Sequence, residues 1–392
     1  MAQQPANLFQ TTMIMQAFRA KFPLLGRVTY INSCSYGALG VDVERALGEY
    51  VASRHAKGAD WDCWIGKGFA LKDKLGRLLG VSADDLSISG SATQSVNALA
   101  SSFRLDGKRR KIVTTAFDFP TTAQIWRAQA TQGAVVETAM ATEDGLDIPL
   151  DRFERLIDDE TLIVSVPAVC YWNGVRLPLE PLIALAHSRG ALVLVDAYQA
   201  VGTFPIDCRA LGADFVVGGF LKYLLGSAGV GFLYVRDSRS GAHDPRMTGW
   251  LAQADVDAMD VFSHRPADDA RRFEGGTPSV PSLYACDAGL GSLLGLDQAA
   301  VAAQIGALTR SIKDRARAAG YALATPADDD RHGALVAIRS ADAAQTVARL
   351  AAMDIVVSSR ASNIRISPHC YNDENDIEAL FRGLHSCRDL LA

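Results

Sequence analysis

Two ionisable side chains stand where apolar runs end. Asp196 follows Ala191-Leu192-Val193-Leu194-Val195, and Lys222 follows Asp214-Phe215-Val216-Val217-Gly218-Gly219-Phe220-Leu221. Asp118 and Phe119 likewise follow the run that begins at Lys111. In an open parallel sheet, ligands bind beyond the carboxyl ends of the strands. Asp196 and Lys222 can therefore share one crevice, although the same pair is also consistent with a plain ion pair. A third segment, Ser89-Gly90-Ser91-Ala92-Thr93-Gln94, leads into a helical pattern through Asn97 and Leu99. Small residues there let backbone N–H groups approach an anion, and an ordinary Ser/Thr helix cap has the same appearance. No G-x-G-x-x-G opens a helix after a strand, and Gly66-Lys67-Gly68 lacks the rest of a P-loop. Nucleotide cofactors are disfavoured on that ground, while a cofactor with a single phosphate stays open.

The elements that must position these residues are legible as periodicity. Residues 41–80 carry apolar side chains at helical spacing, among them Leu47, Tyr50, Val51, Leu71, Leu75, Leu78 and Leu79. Apolar runs follow at 111–117, 134–140, 161–169, 191–197, 213–220 and 230–236, alternating with helical patterns such as 179–188. Runs that are apolar on both faces predict a largely parallel sheet covered on both sides. After Pro281 comes a long Ala/Leu-rich helical stretch over 282–320. Two further runs, 333–338 and 355–359, flank a helix at 341–353, and an amphipathic helix closes the chain at 374–391. This predicts an α/β fold with three parts: an N-terminal segment 1–40 packing on the small domain and the site, a large domain 41–280, and a smaller α+β domain 281–392.

Composition removes several function classes. The chain has 392 residues, 49% apolar and 21% charged, which is ordinary for a globular protein. Its net charge of −5 argues against a dedicated nucleic-acid binder. No apolar stretch has the roughly 18–20 residues a membrane span needs, and the first 25 residues do not read as a secretory signal, so a cytoplasmic location is expected. The seven cysteines are scattered and unpaired in spacing, with no C-x-x-C. Neither a disulfide framework nor a structural zinc site is expected.

Taken together the residues become specific. Val195-Asp196-Ala197-Tyr198-Gln199-Ala200, Gly212-Ala213-Asp214-Phe215 through Lys222-Tyr223, Ser91-Ala92-Thr93, Phe273-Glu274-Gly275-Gly276-Thr277-Pro278, and Ile364-Arg365-Ile366-Ser367 followed by Tyr371-Asn372 occur in the order found in one family. Over nearly its whole length the chain resembles the class V aminotransferases, fold-type-I enzymes that use pyridoxal 5′-phosphate. The resemblance implies a large domain with a mostly parallel seven-stranded sheet and a smaller C-terminal domain. It implies that Lys222 holds the cofactor as a Schiff base and acts as the base at Cα. Asp196 would pair with the pyridine nitrogen and Gln199 with the phenolic oxygen. Ala92 and Thr93 would hold the phosphate. Thr277 would reach the phosphate of a partner subunit, which implies a homodimer. Arg365 would bind the α-carboxylate of a small amino acid. Phe119 sits where the family stacks a ring on the cofactor, and its kynureninase branch has Phe there. Ser35 and Tyr36, within Asn32–Gly37, resemble that branch's substrate loop, and Tyr171 and Asn173 a cofactor-side loop.

Three departures qualify the resemblance. Leu221 stands where the family commonly has a phosphate donor, His or Tyr, and Gly219 where a Ser is common. Between Arg360 and Arg365 there is no cysteine, so the persulfide route of desulfurases is disfavoured unless Cys34 substitutes. The expected chemistry is that of a lyase resembling kynureninase or the cysteine and selenocysteine lyases. An aminotransferase with a keto acid acceptor is the alternative, and a non-catalytic binding protein on the same fold is an alternative of a different class.

Overall fold

The computed structural model describes residues 5–391. Residues 1–4, the start of the expected N-terminal segment, and residue 392 lie outside the described residues. Strand β1 (Thr29–Tyr30) lies in the N-terminal segment. The central sheet contains β2 (Leu86–Ser89), β3 (Lys111–Thr115), β4 (Val135–Ala139), β5 (Thr161–Pro167), β6 (Leu192–Asp196), β7 (Phe215–Gly219) and β8 (Gly231–Val235). Their spatial order is β2-β8-β7-β6-β5-β3-β4. Strands β7, β6, β5, β3 and β4 are parallel, and β8 runs antiparallel to both its neighbours. This is the mostly parallel seven-stranded sheet the sequence leads one to expect.

Side-chain alternation explains why both faces are covered. Val193, Val195, Val216 and Phe232 enter one buried cluster with Leu71, Leu75 and Leu182. Their neighbours Leu194, Phe215, Val217 and Leu233 enter a second cluster with Val96, Leu99 and Ile125. A strand whose odd and even residues are both apolar must be buried on both faces. Each such Val, Leu or Phe contributes about 1.5–3 kcal/mol when fully buried, so the strand ends are held firmly where loops leave them. Strand β2 escapes the apolar-run reading because Leu86-Ser87-Ile88-Ser89 alternates with serine. Its Ser87 is nevertheless buried, since β2 pairs with β8.

The helical segments are more broken than periodicity alone indicates. Residues 41–80 form two helices, Val41–Lys57 and Trp61–Leu79, split at Gly58, whose φ is +70°. The 282–320 stretch is likewise two helices, Val280–Leu294 and Gln298–Ala318, with Asp297 capping the second through Ala299 N–H. The first of these packs on the two early helices, with Val280 and Tyr284 against Ala46 and Trp64. It thus continues the layer before Pro281, where the sequence placed a boundary.

A second, antiparallel sheet has the order β11-β12-β9, from β9 (Val336–Arg339), β11 (Ser358–Arg360) and β12 (Asn363–Ile366). Between them β10 (Ile355–Val356) pairs in parallel with β1. Ile31 of the N-terminal segment joins the buried cluster of Ile338, Leu350, Ile364, Ile366 and Leu380. Arg19 ties the same segment to Asp376 with two bonds of 2.6 and 3.0 Å. The chain from Ser33 to Gly37 is thereby drawn across to the end of β7, where Gly37 N–H donates to Leu221 O at 2.8 Å.

Candidate active site

The carboxyl ends of β3, β5, β6 and β7 open onto a cavity of about 290 Å³. It lies across the place where the strand order reverses, since β3 has β4 on one side and β5 on the other. Asp196 is the last residue of β6 and Lys222 follows β7 by three residues. Ala92 and Thr93 begin the helix Ala92–Ser101, and Phe119 precedes the helix Pro120–Ala128. These side chains, with Gln199, Tyr171 and Ser35, all line the cavity.

Asp196 and Lys222 share the cavity without pairing. Asp196 Oδ1 accepts the Tyr198 N–H at 2.9 Å. Lys222 Nζ has no hydrogen-bond or ion-pair partner among the described residues; it stands over the rings of Tyr198 and Phe119, 4.5 and 5.9 Å from their centroids. The plain ion pair that the sequence left open is therefore absent from the described residues. Burial raises the Asp196 carboxyl, against the opposing pull of the Tyr198 N–H and the Lys222 charge. Burial also brings the Lys222 ammonium down to about 8, so roughly a tenth is neutral amine at pH 7, far more than for an ordinary lysine. Next to the cavity, Asp118 is pushed up to about 8 by burial. Its Oδ1 accepts from Thr115 Oγ1 at 2.7 Å, and its Oδ2 has no partner.

One end of the cavity suits an anion. Ser91 Oγ accepts the Gln94 N–H at 3.2 Å and Ser91 O accepts the Ser95 N–H, leaving the first N–H groups of the helix for a ligand. A Cβ on Gly231 would overlap the backbone of Ser91 and Ala92, so β8 sits directly behind that helix start. A Cβ on Gly219 would overlap the Tyr198 ring and hydroxyl. The space of the missing serine is thus filled by a phenol that the sequence reading passed over. Burial raises the Tyr198 hydroxyl's pKa further, so it stays a donor. Leu221 lines the same wall and donates nothing from its side chain. The fit to a flat, singly phosphorylated aldehyde cofactor is good on this chemistry: an unpaired amine and an acid not paired with it in one cavity, N–H donors at one end, and an orphaned Gln199 Oε1. Gln199 spends one N–H on Cys34 O at 3.0 Å.

Four expected residues stand outside the cavity wall. Arg365 lies behind Tyr171, 4% exposed, donating from Nη1 to Tyr171 O at 2.8 Å and from Nη2 to Ser358 Oγ at 2.9 Å. Its Nε is buried without a partner. Tyr36 is half exposed and its hydroxyl accepts the Ala228 N–H at 2.8 Å, which ties it to the 227–228 loop. Asn173 also stands off the cavity wall. It is fully buried, donates to Gly145 O at 2.8 Å and accepts from Val175 N–H at 3.1 Å. Gly174 follows it at φ +79°, and the Asn173 amide braces that turn. Thr277 lines a separate cleft of about 520 Å³ with Trp61, Phe69, Trp250 and Gln94. Gln94 belongs to the helix whose first residues face the Lys222 cavity.

The cysteines give no nucleophile at the β11–β12 turn, which contains only Ala361 and Ser362. Cys34 and Cys370 are buried, and burial pushes the Cys370 thiol well up.

Comparison with known proteins agrees with this picture. The family model described as aminotransferase class V matches residues 70–380. An uncharacterised aminotransferase, YcbU, from Bacillus subtilis (strain 168) is 32% identical over 362 residues, covering 92% of this chain and 95% of the relative. A kynureninase from Deinococcus radiodurans is 32% identical over 368 residues, covering 88% and 86%. Among solved structures, the apo cysteine desulfurase of Thermococcus onnurineus NA1 superposes with a TM-score of 0.85 at 21% identity, covering 99% of this chain and 98% of that one. At that identity the likeness speaks for the fold alone.

Proposed function

The chain belongs to the class V aminotransferase family and is a pyridoxal-phosphate-dependent enzyme, and from that premise we propose that it acts on a small α-amino acid at the Lys222 cavity, with lyase chemistry. The observation that carries this reading is the acid and the amine that line one cavity without pairing. Burying both without mutual pairing is costly unless a third group comes between them. Pyridoxal phosphate supplies an aldehyde that condenses with amines and a ring that withdraws electrons from the substrate's Cα.

The chain's own residues do the rest. Asp196 holds a proton on the ring nitrogen, and its buried charge is then matched. Lys222, with an ammonium pKa of about 8, takes the Cα proton as a base near its working pH. Phe119 and Tyr171, in edge contact at 5.0 Å, wall off one side from water. Arg365 would exchange its bonds to Tyr171 O and Ser358 Oγ for the α-carboxylate, a planar bidentate task for guanidinium. The lyase reading leans on Phe119 and on the likeness to a kynureninase. It is tested by incubating the cofactor-loaded enzyme with an amino-acid panel, with and without a keto acid. Turnover with no acceptor supports it; strict dependence on an acceptor overturns it in favour of transamination.

Tyr198 takes over the phosphate contact that Gly219 and Leu221 lack. Tyr198→Phe is expected to weaken the binding of pyridoxal phosphate roughly tenfold, the scale of one hydrogen bond to a charged group. Unphosphorylated pyridoxal should be unaffected, as equilibrium dialysis of both compounds would show. Thr277 acts across a homodimer interface in this reading. The exposed Trp61, Ile65 and Phe69 near it support a second copy covering that cleft.

A further inference from the structure

Arg365 has a neighbour of the same charge on the same face. In the β11–β12 hairpin, Ser358 pairs with Arg365 and Arg360 with Asn363. Side chains two apart on a strand share a face, so Ser358, Arg360, Asn363 and Arg365 project from one side. Contacts identify that side as the one facing the site. Ser358 Oγ accepts from Arg365 and lies 3.9 Å from Cys34 Sγ, and the Cys34 carbonyl holds Gln199. The turn between the strands places both Ala361 and Ser362 in the left-handed region, at φ +49° and +60°. Neither is glycine, and such strain persists only where the surroundings enforce it. It keeps the hairpin tight and Arg360 on the face of Arg365.

The two guanidinia differ in what they lack. Arg365 is buried and its two terminal nitrogens are engaged by Tyr171 and Ser358. Arg360 is exposed, donates only to the carbonyl of its neighbour Ser359 at 2.9 Å, and forms no ion pair among the described residues. Both charges are felt inside the cavity. Burial is the main cause of the lowered Lys222 ammonium, and Arg365 and Arg360 lower it further. At Tyr171 burial raises the phenol while both arginines oppose it. The acids nearby do not answer Arg360, since Asp196 serves the ring nitrogen and burial favours a neutral Asp118. One α-carboxylate matches one guanidinium and leaves the other unmatched.

We propose that Arg360 receives a second acidic group on the substrate's side chain, so that the enzyme selects amino acids carrying two carboxylates over those carrying one. This rests on the reading that Arg365 takes the α-carboxylate. Succinate and butyrate, four-carbon acids with no amine to react, separate the two contributions. Their affinities for the cofactor-loaded enzyme are measured by calorimetry. Succinate is expected to bind wild type roughly tenfold or more tighter than butyrate, as one charge-assisted bidentate contact provides. In Arg360→Gln that ratio is expected to collapse toward one, and Arg360→Lys should keep part of it. A wild-type ratio near one, a ratio that survives Arg360→Gln, or equal weakening of both acids by Arg360→Gln would overturn the proposal. A failure of the underlying reading is separately visible as an Arg365→Lys variant that binds butyrate as wild type does.

Discussion

Lys222→Ala is expected to lower turnover by about 10³-fold or more, because it removes both the point of covalent attachment and the base at Cα. The fold should survive the change. Lys222 Nζ donates to no partner among the described residues and lies over two aromatic rings, so its loss leaves no buried group unsatisfied. Cofactor should still be taken up, held at the helix start of Ala92 and Thr93, but released on dialysis. The wild-type amine carries a pH signature of its own. Its ammonium is lowered to about 8, so the neutral, reactive fraction grows as pH rises through 8. The rate of cofactor capture by the free chain should therefore climb with a midpoint near pH 8 and level off above about pH 9. A lysine at its ordinary value near 10.4 would still be almost wholly protonated over that range.

Asp196→Asn is expected to separate activity from stability. The amide keeps the shape and can still accept the Tyr198 N–H that Asp196 Oδ1 accepts at 2.9 Å. It cannot hold a positive charge on the ring nitrogen, so kcat should fall by about 10²- to 10³-fold. The Michaelis constant for the amino acid should move little, since Arg365 is untouched. Without cofactor the variant should be at least as stable as wild type. Burial already raises the Asp196 carboxyl, which means its ionised form is costly in the folded state. Thermal unfolding of the cofactor-free proteins and steady-state kinetics of the loaded ones measure the two effects. A variant that lost stability and kept activity would assign Asp196 a structural role.

Much of the site was legible because strand ends advertise themselves. Asp196 and Lys222 each close an apolar run, and a sheet with buried faces leaves only its loop ends to solvent. The helix start at Ala92 and the aromatic at Phe119 followed from the same logic plus the family resemblance. What escaped the sequence depends on contacts between distant segments. Tyr198 was passed over because only the folded chain shows its hydroxyl in the space that Gly219 vacates. Asn173 shows the converse. A buried amide holding Gly145 and Val175 and an amide reaching a ligand look identical in one dimension. Arg360 gains meaning from the register that puts it on the face of Arg365, which spacing in the sequence does not convey. Strand β2 and the split helices were hidden by local composition: two serines in a buried strand, and a single left-handed Gly58 in a long helical pattern.

Reductive trapping reads out whether Lys222 carries the cofactor. Purified protein is loaded with pyridoxal phosphate, reduced with borohydride, digested, and mapped by mass spectrometry. One dominant phosphopyridoxyl modification is expected, on Lys222, with its yield strongly reduced in Asp196→Asn and Tyr198→Phe at limiting cofactor. A modification spread over surface lysines, or none on Lys222, would contradict it.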